Sequence, residues 1–133
     1  MSLLIDQLAL WLQAQGEGTV GTSLFKLSRP AAPIVCVTLY ATGGYPPDKY
    51  TGREFPTLQI VCRAGTPNGA LQKAYAIWNR LAGKQCLDLG NGIYANVVEA
   101  LNSPVSLGEE GASSVPAYLA AFNLRFDLKR PSH

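Results

Sequence analysis

A chain of 133 residues, 47% of them hydrophobic and 15% charged, has the size of one domain with a single core and is lightly charged for so small a surface. Its formal net charge of +2 is too small to announce a nucleic-acid binder, and its basic residues are scattered along the chain, with Lys129 beside Arg130. The three cysteines, Cys36, Cys62 and Cys86, show no CxxC spacing, which argues against a disulfide scaffold or a zinc site and suits a reducing compartment.

The first expected element is a helix that Ser2 can cap. Leu4, Ile5, Leu8, Trp11 and Leu12 recur in it at helical spacing until Gly16 and Gly18 stop it. Asp6 and Gln7 interrupt its apolar run and no basic leader precedes it, so it reads as an amphipathic helix packing on a sheet and not as a signal or a membrane anchor. TVGTSLFKLSRPAAP follows as irregular chain, because Pro30 and Pro33 cannot serve a central ladder. A strand is expected over 34–41, then a long hairpin loop over 42–53, rich in Gly and Pro and carrying Tyr45 and Tyr50. The next strand lies in TGREFPTLQIVCRAG. Its alternation sends Leu58, Ile60 and Cys62 to the core and Thr57, Gln59, Val61 and Arg63 to a face suited to partial exposure or protein contact.

Thr66 followed by Pro67 starts a second helix, since Thr accepts from orphan amides and Pro is at no loss in the first helical position. The helix is expected to run to about Ala82, with Leu71, Ala74, Tyr75, Trp78, Leu81 and Ala82 on its buried face and Gly83 as its stop. A third strand around Gly92 to Leu101 has a loose register, because Asn96 and Glu99 fall on different faces. NSPVSLGEEGASS, 102–114, reads as a polar loop holding Glu109 and Glu110. In the last strand Tyr118, Phe122, Leu124, Phe126 and Leu128 alternate with Asn123, Arg125, Asp127 and Lys129. The order helix, strand, strand, helix, strand, strand predicts an α+β fold, an antiparallel or mixed sheet of about four strands with two main helices packed on one face. A single domain is expected over 1–133, with its core at about 3–128 and a flexible tail at 129–133.

Catalytic hardware is sparse. The one histidine, His133, stands at the C-terminal end, which excludes a triad or a His-based metal site. Cys36 and Cys62 fall in strands and read as buried structural thiols, and Cys86 reads as a plain loop thiol. Glu109 and Glu110 form an acidic pair that reads as solvated before it reads as a metal ligand. Gly43 and Gly44 make no phosphate loop, since no GKS or GKT follows. The sequence therefore predicts no catalytic residue, no cofactor and no metal, and favours protein contact over base stacking for its tyrosine-rich loop.

The succession LALWLQAQGEGTVGTSLF, TLYATGGYPPD, GREFPTLQIVCRAG, IWNRLAG, SPVSLGEEG and AAFNLRFDLK, from Leu4 to Leu128, resembles the tail terminator proteins of long-tailed bacteriophages, a group that includes minor capsid proteins. The resemblance implies a small α+β subunit that forms a hexameric ring on the finished end of the tail tube, stops tube elongation and offers the joint to the head. The implied partners are further copies of the chain, the tail tube protein and the head-completion or neck proteins. DNA is expected to pass through the ring without specific binding, past a lumen with few fixed cations. No membrane is implied, and the expected location is the head–tail junction of the virion after assembly in the host cytoplasm. Tyr45, Tyr50, Arg53, Phe55, Pro56, Arg63, Glu109 and Glu110 become the candidate contact residues, because sheet edges and proline-flanked strands at a subunit boundary must be paired or covered. GASSVPAY departs from the pattern in lacking a basic residue after the acidic turn. Other readings are a different head–tail joining protein, a nucleic-acid-binding accessory protein using LKRPSH and exposed tyrosines, or a small enzyme using Cys86 or a carboxylate.

Overall fold

The structure, a computed structural model, describes residues 4–29, 34–48, 53–109 and 116–129, with backbone alone at 44–48 and 129. The expected Ser2 cap, Tyr50, Glu110 and the tail beyond 129 lie outside the described residues. The described elements are, in chain order, α1 (Leu4–Ala14), β1 (Leu24–Lys26), β2 (Cys36–Asp48), β3 (Arg53–Ala64), α2 (Pro67–Leu81), β4 (Gln85–Gly90), β5 (Ile93–Ala100), β6 (Val105–Glu109) and β7 (Tyr118–Lys129). The strands form one sheet in the order β1-β2-β3-β7-β5-β4, with β6 also paired to β7. Among the described residues β1 runs parallel to β2 and the other pairs are antiparallel.

The α+β class and the two helices agree with the sequence reading, but the sheet has seven strands where about four were expected. Three of the additional strands are short and weakly patterned. β1 has 3 residues, β4 has 6 and β6 has 5, and every β6 residue is exposed. Edge pieces of this kind carry little apolar alternation, so periodicity cannot announce them. The hairpin is also corrected. Most of the stretch read as a loop continues as strand, with Gly44 opposite Pro56, Tyr45 opposite Phe55 and Asp48 opposite Arg53, past bulges between Ala41 and Gly44 and between Tyr45 and Asp48. Pro46 and Pro47 are tolerated because among the described residues no strand pairs with the outer side of β2 there.

β7 runs through the middle. β3 pairs along its whole length on one side, while β5 and then β6 pair in succession on the other. Its inward residues Ala120, Phe122, Leu124 and Phe126 are fully buried, together with Val37 and Leu39 of β2, Leu58, Ile60 and Cys62 of β3, and Val98 of β5. Both helices close this face through one continuous cluster that includes Leu4, Ile5, Leu8, Leu12, Ala70, Ala74, Ile77 and Leu81.

α2 begins as expected. The Thr66 side chain accepts from the Gly69 amide at 3.0 Å, with Pro67 in the first turn. Its buried face is rotated from the expected one: Ala70, Ala74, Ile77 and Leu81 are buried, while Tyr75 is 39% exposed and Leu71 and Trp78 are half-buried. Small residues at four-residue spacing let the helix lie close on the sheet, which displaces the bulky rings to its flank. There Tyr75 meets Trp78 edge-on at 6.0 Å, and the indole N–H donates to the Asn102 carbonyl at 3.1 Å.

Glu17, buried just after α1, ties the helices together. Lys73 and Arg80 of α2 approach its carboxylate at 3.3 and 3.2 Å. Replacing it leaves two cations facing a void, and because both are partly exposed the loss is discounted for solvent. Glu17→Ala is expected to lower unfolding stability by about 1–2 kcal/mol in urea denaturation at pH 7.

The thiols divide by burial. Cys36 and Cys62 are buried and Cys86, which lies in β4 and not in a loop, is exposed. Burial pushes the Cys62 thiol from 9.0 up to about 12. One thiol is expected to react rapidly with an aromatic disulfide reagent at pH 8 in the folded protein, and all three after unfolding. Because unfolded Cys62 ionises near 9.0 while the folded thiol keeps its proton to about 12, its contribution to stability is complete below pH 9 and is lost as pH rises through that window.

Candidate interaction surface

Period-two alternation puts Arg53, Phe55, Thr57, Gln59, Val61 and Arg63 on the face of β3 turned away from the helices. In register beside them on β7 stand Asp127, Arg125, Asn123 and Ala121, and Glu99 of β5 lies directly opposite Arg125. Arg53 and Phe55 are brought together at one end of this face. Arg53 Nε lies 3.7 Å from Asp127 Oδ1, an ion-pair distance that is too long for a hydrogen bond. The Arg125 guanidinium sits 5.8 Å from the centre of the Phe55 ring and forms an ion pair with Glu99. Thr42 and Thr57 join their hydroxyls at 2.7 Å across the hairpin.

The result is a charge-balanced strip, two guanidiniums against two carboxylates, with one aromatic ring under a cation. Arg125, Asp127 and Glu99 were not among the candidate contacts. Their signal was present in the polar alternates of the last strand, but only the register with β3 shows that they meet Arg53 and Phe55.

The other candidates separate. Tyr45 lies opposite Phe55 in the backbone register. Pro56 is half-buried opposite Gly44 and belongs to the alternate set of β3, on the helix side. Glu109 is exposed at the far end of β6, where it pairs with Tyr118, itself opposite Ala64. Glu109 therefore stands at the opposite end of the sheet from Arg53, a separation of about 36 Å along β3. Tyr50 and Glu110 lie outside the described residues.

Arg63 departs from expectation. It was assigned to a partly exposed face, yet it is 2% exposed, as is Val61, and its Nε donates to the Ile34 carbonyl at 2.9 Å. The outer face is thus closed at this end, where Cys36, Thr38 and Ala121 are also buried. Alternation identified the face but not what covers it.

Among the described residues no group of three His, Cys, Asp or Glu side chains is placed to hold a metal ion, and no helix is long and apolar enough to cross a membrane.

A family model described as bacteriophage tail terminator protein matches residues 11–130. No curated protein matches the chain. Among solved structures, a chain from the virion of a native gene transfer agent particle is similar at 18% identity and a TM-score of 0.60, covering 96% of this chain and 98% of its own. A second structure aligns at 13% identity and a TM-score of 0.51, covering 96% of this chain and 92% of its own. At these identities the structural likenesses establish the fold.

The burial of Arg63 makes it an internal tie. Arg63→Ala is expected to cost about 2–4 kcal/mol in equilibrium unfolding, since it opens a void and strands a carbonyl. Phe55→Ala, at the half-buried end of the same strand, is expected to cost about 1 kcal/mol or less. Equal losses for the two would show that Arg63 is no more deeply engaged than Phe55.

Proposed function

The chain belongs to the bacteriophage tail terminator family, and from that premise we propose that it caps the phage tail tube as a ring, stops tube elongation and forms the joint to the head-completion proteins. It is a structural protein of the phage tail. The family match across residues 11–130 carries the reading, and the physical character of the surface supports it. Two cations of the outer sheet face are matched by carboxylates, Arg53 by Asp127 and Arg125 by Glu99. A face neutralised in this way has little hold on phosphate, as a ring that lets DNA pass requires.

A head-to-tail ring needs two unlike patches on each subunit, one for each neighbour, and stable interfaces bury about 1,600 Å² in total. The described candidate contacts supply unlike patches at opposite ends of the sheet, with Tyr45, Arg53, Phe55 and Pro56 at one end and Glu109 at the other. Arg63, being buried, serves them from inside. The partners under this reading are copies of the chain, six to a ring, the tail tube protein below and a neck protein above.

Immuno-electron microscopy tests it. Label is expected once per tail, at the end that meets the head, and phage lacking the chain is expected to yield overlong tubes and unattached heads. Label along the whole tube, or tails of normal length in its absence, would overturn the reading.

A further inference from the structure

Among the open backbone edges of the described residues, two lie diagonally opposite. β1 covers β2 only from Val37 to Leu39, which leaves the outer side of β2 open from Ala41 onwards. On the other flank β4 covers β5, while β6 pairs with β7 and has no strand beyond it. The β6 edge is adhesive. All 5 of its residues are exposed, and Val105 and Leu107 remain 49% and 54% exposed despite being large and apolar. Resting on the ring reading above, we propose that the open edge of β6, Val105–Glu109, pairs antiparallel with the open edge of β2, Ala41–Tyr45, of the next copy of this chain.

Strand direction supports the pairing. β2 is antiparallel to β3, β3 to β7 and β7 to β6, so β6 runs opposite to β2. Copies set side by side in the same orientation, as around a ring axis, therefore bring β6 against a neighbouring β2 in the antiparallel sense that tight pairing favours.

Stagger supports it too. Val105 stands level with Ala121 and Val61, and Glu109 with Tyr118 and Ala64. Ala41 stands level with Leu58, and Tyr45 with Phe55. The two open stretches are thus offset by about six residues, on the order of 20 Å along the strands. Stepping from one copy's β2 to the next crosses β3, β7 and β6, four inter-strand spacings or about 19 Å. A ring closes without axial rise only if the strands tilt to absorb that offset, which requires about 45°, at the upper end of the roughly 35–45° that closed sheets adopt. The covered corners interlock as well, with β4 above the neighbour's β2 and the neighbour's β1 below β6.

Local chemistry limits and aligns the ladder. Pro46 and Pro47 end the stretch on β2, and Pro104 precedes it on β6. In a pairing that sets Leu107 opposite Gly43, Glu109 faces Ala41.

The test uses assembled tails. In a Cys86→Ser background, Ala41→Cys and Glu109→Cys are combined and the tails treated with a short bismaleimide. Covalent ladders of the chain are expected on denaturing gels, with monomer alone from either single-cysteine variant. A ring visible by microscopy with no species above monomer would overturn the edge pairing while leaving the ring reading standing, whereas tails with no ring would overturn both. Leu107→Lys supplies the second arm. With an unchanged melting temperature it is expected to reduce capped tails at least ten-fold, and normal capping by that folded variant would also overturn the pairing.

Discussion

The structure depends on the two-sided pairing of β7. From Tyr118 to Lys129 its partners on one side are the residues of β3, and on the other β5 and then β6 divide its length. A strand with neighbours on both sides has few backbone groups left to satisfy, so its inward side chains can be wholly apolar without penalty. Phe122, Leu124 and Phe126 use that freedom and are fully buried under α2 and its neighbours. The same arrangement leaves unmet backbone hydrogen-bonding demand at the margins, among them the outer side of β2 and β6. Core and contact surface are therefore two results of one topology.

Charge follows a similar division. Ion pairs on exposed strands contribute about 0–1 kcal/mol each, so Arg53 with Asp127 and Arg125 with Glu99 do more to shape what the face accepts than to hold it folded. The buried groups behave differently. Arg63 and Glu17 have left water, and each is compensated by a specific partner, the Ile34 carbonyl for one and Lys73 with Arg80 for the other. Removing a partner there uncovers desolvation cost that the exposed pairs do not carry. Thr38 adds a smaller debt, since its hydroxyl is buried without a hydrogen bond among the described residues.

Legibility in the sequence tracked the strength of local pattern. The alternation of β7, the inner face of β3 and the Thr66–Pro67 start of α2 were all readable, because each rests on a period or a cap that local chemistry imposes. β1, β4 and β6 were not, because 3 to 6 residues at a sheet margin are held by what they pair with and not by their own composition. The face of α2 was misplaced by its own bulk. Tyr75 and Trp78 look like core by size, yet Ala70 and Ala74 take the core because closeness to the sheet outweighs side-chain area at that point. Of the candidate contacts, Arg63 lies on the face that alternation gave it but is buried there, because tertiary covering of a strand end leaves no trace in a two-residue period.

On the ring reading, a short open edge would let a subunit carry a pairing surface and still wait for a tube. Each backbone hydrogen bond gained at an edge contributes about 0.5–1.5 kcal/mol net, and a ladder bounded by Pro104 on β6 and Pro46 on β2 offers only a few of them. Bringing two free subunits together costs about 4–15 kcal/mol in lost translation and rotation. Edge pairing by itself therefore falls short for free subunits. On the ring reading, that shortfall is useful: the prolines that blunt each edge keep the chain from polymerising in solution, and the finished tube supplies the local concentration that lets neighbouring edges close.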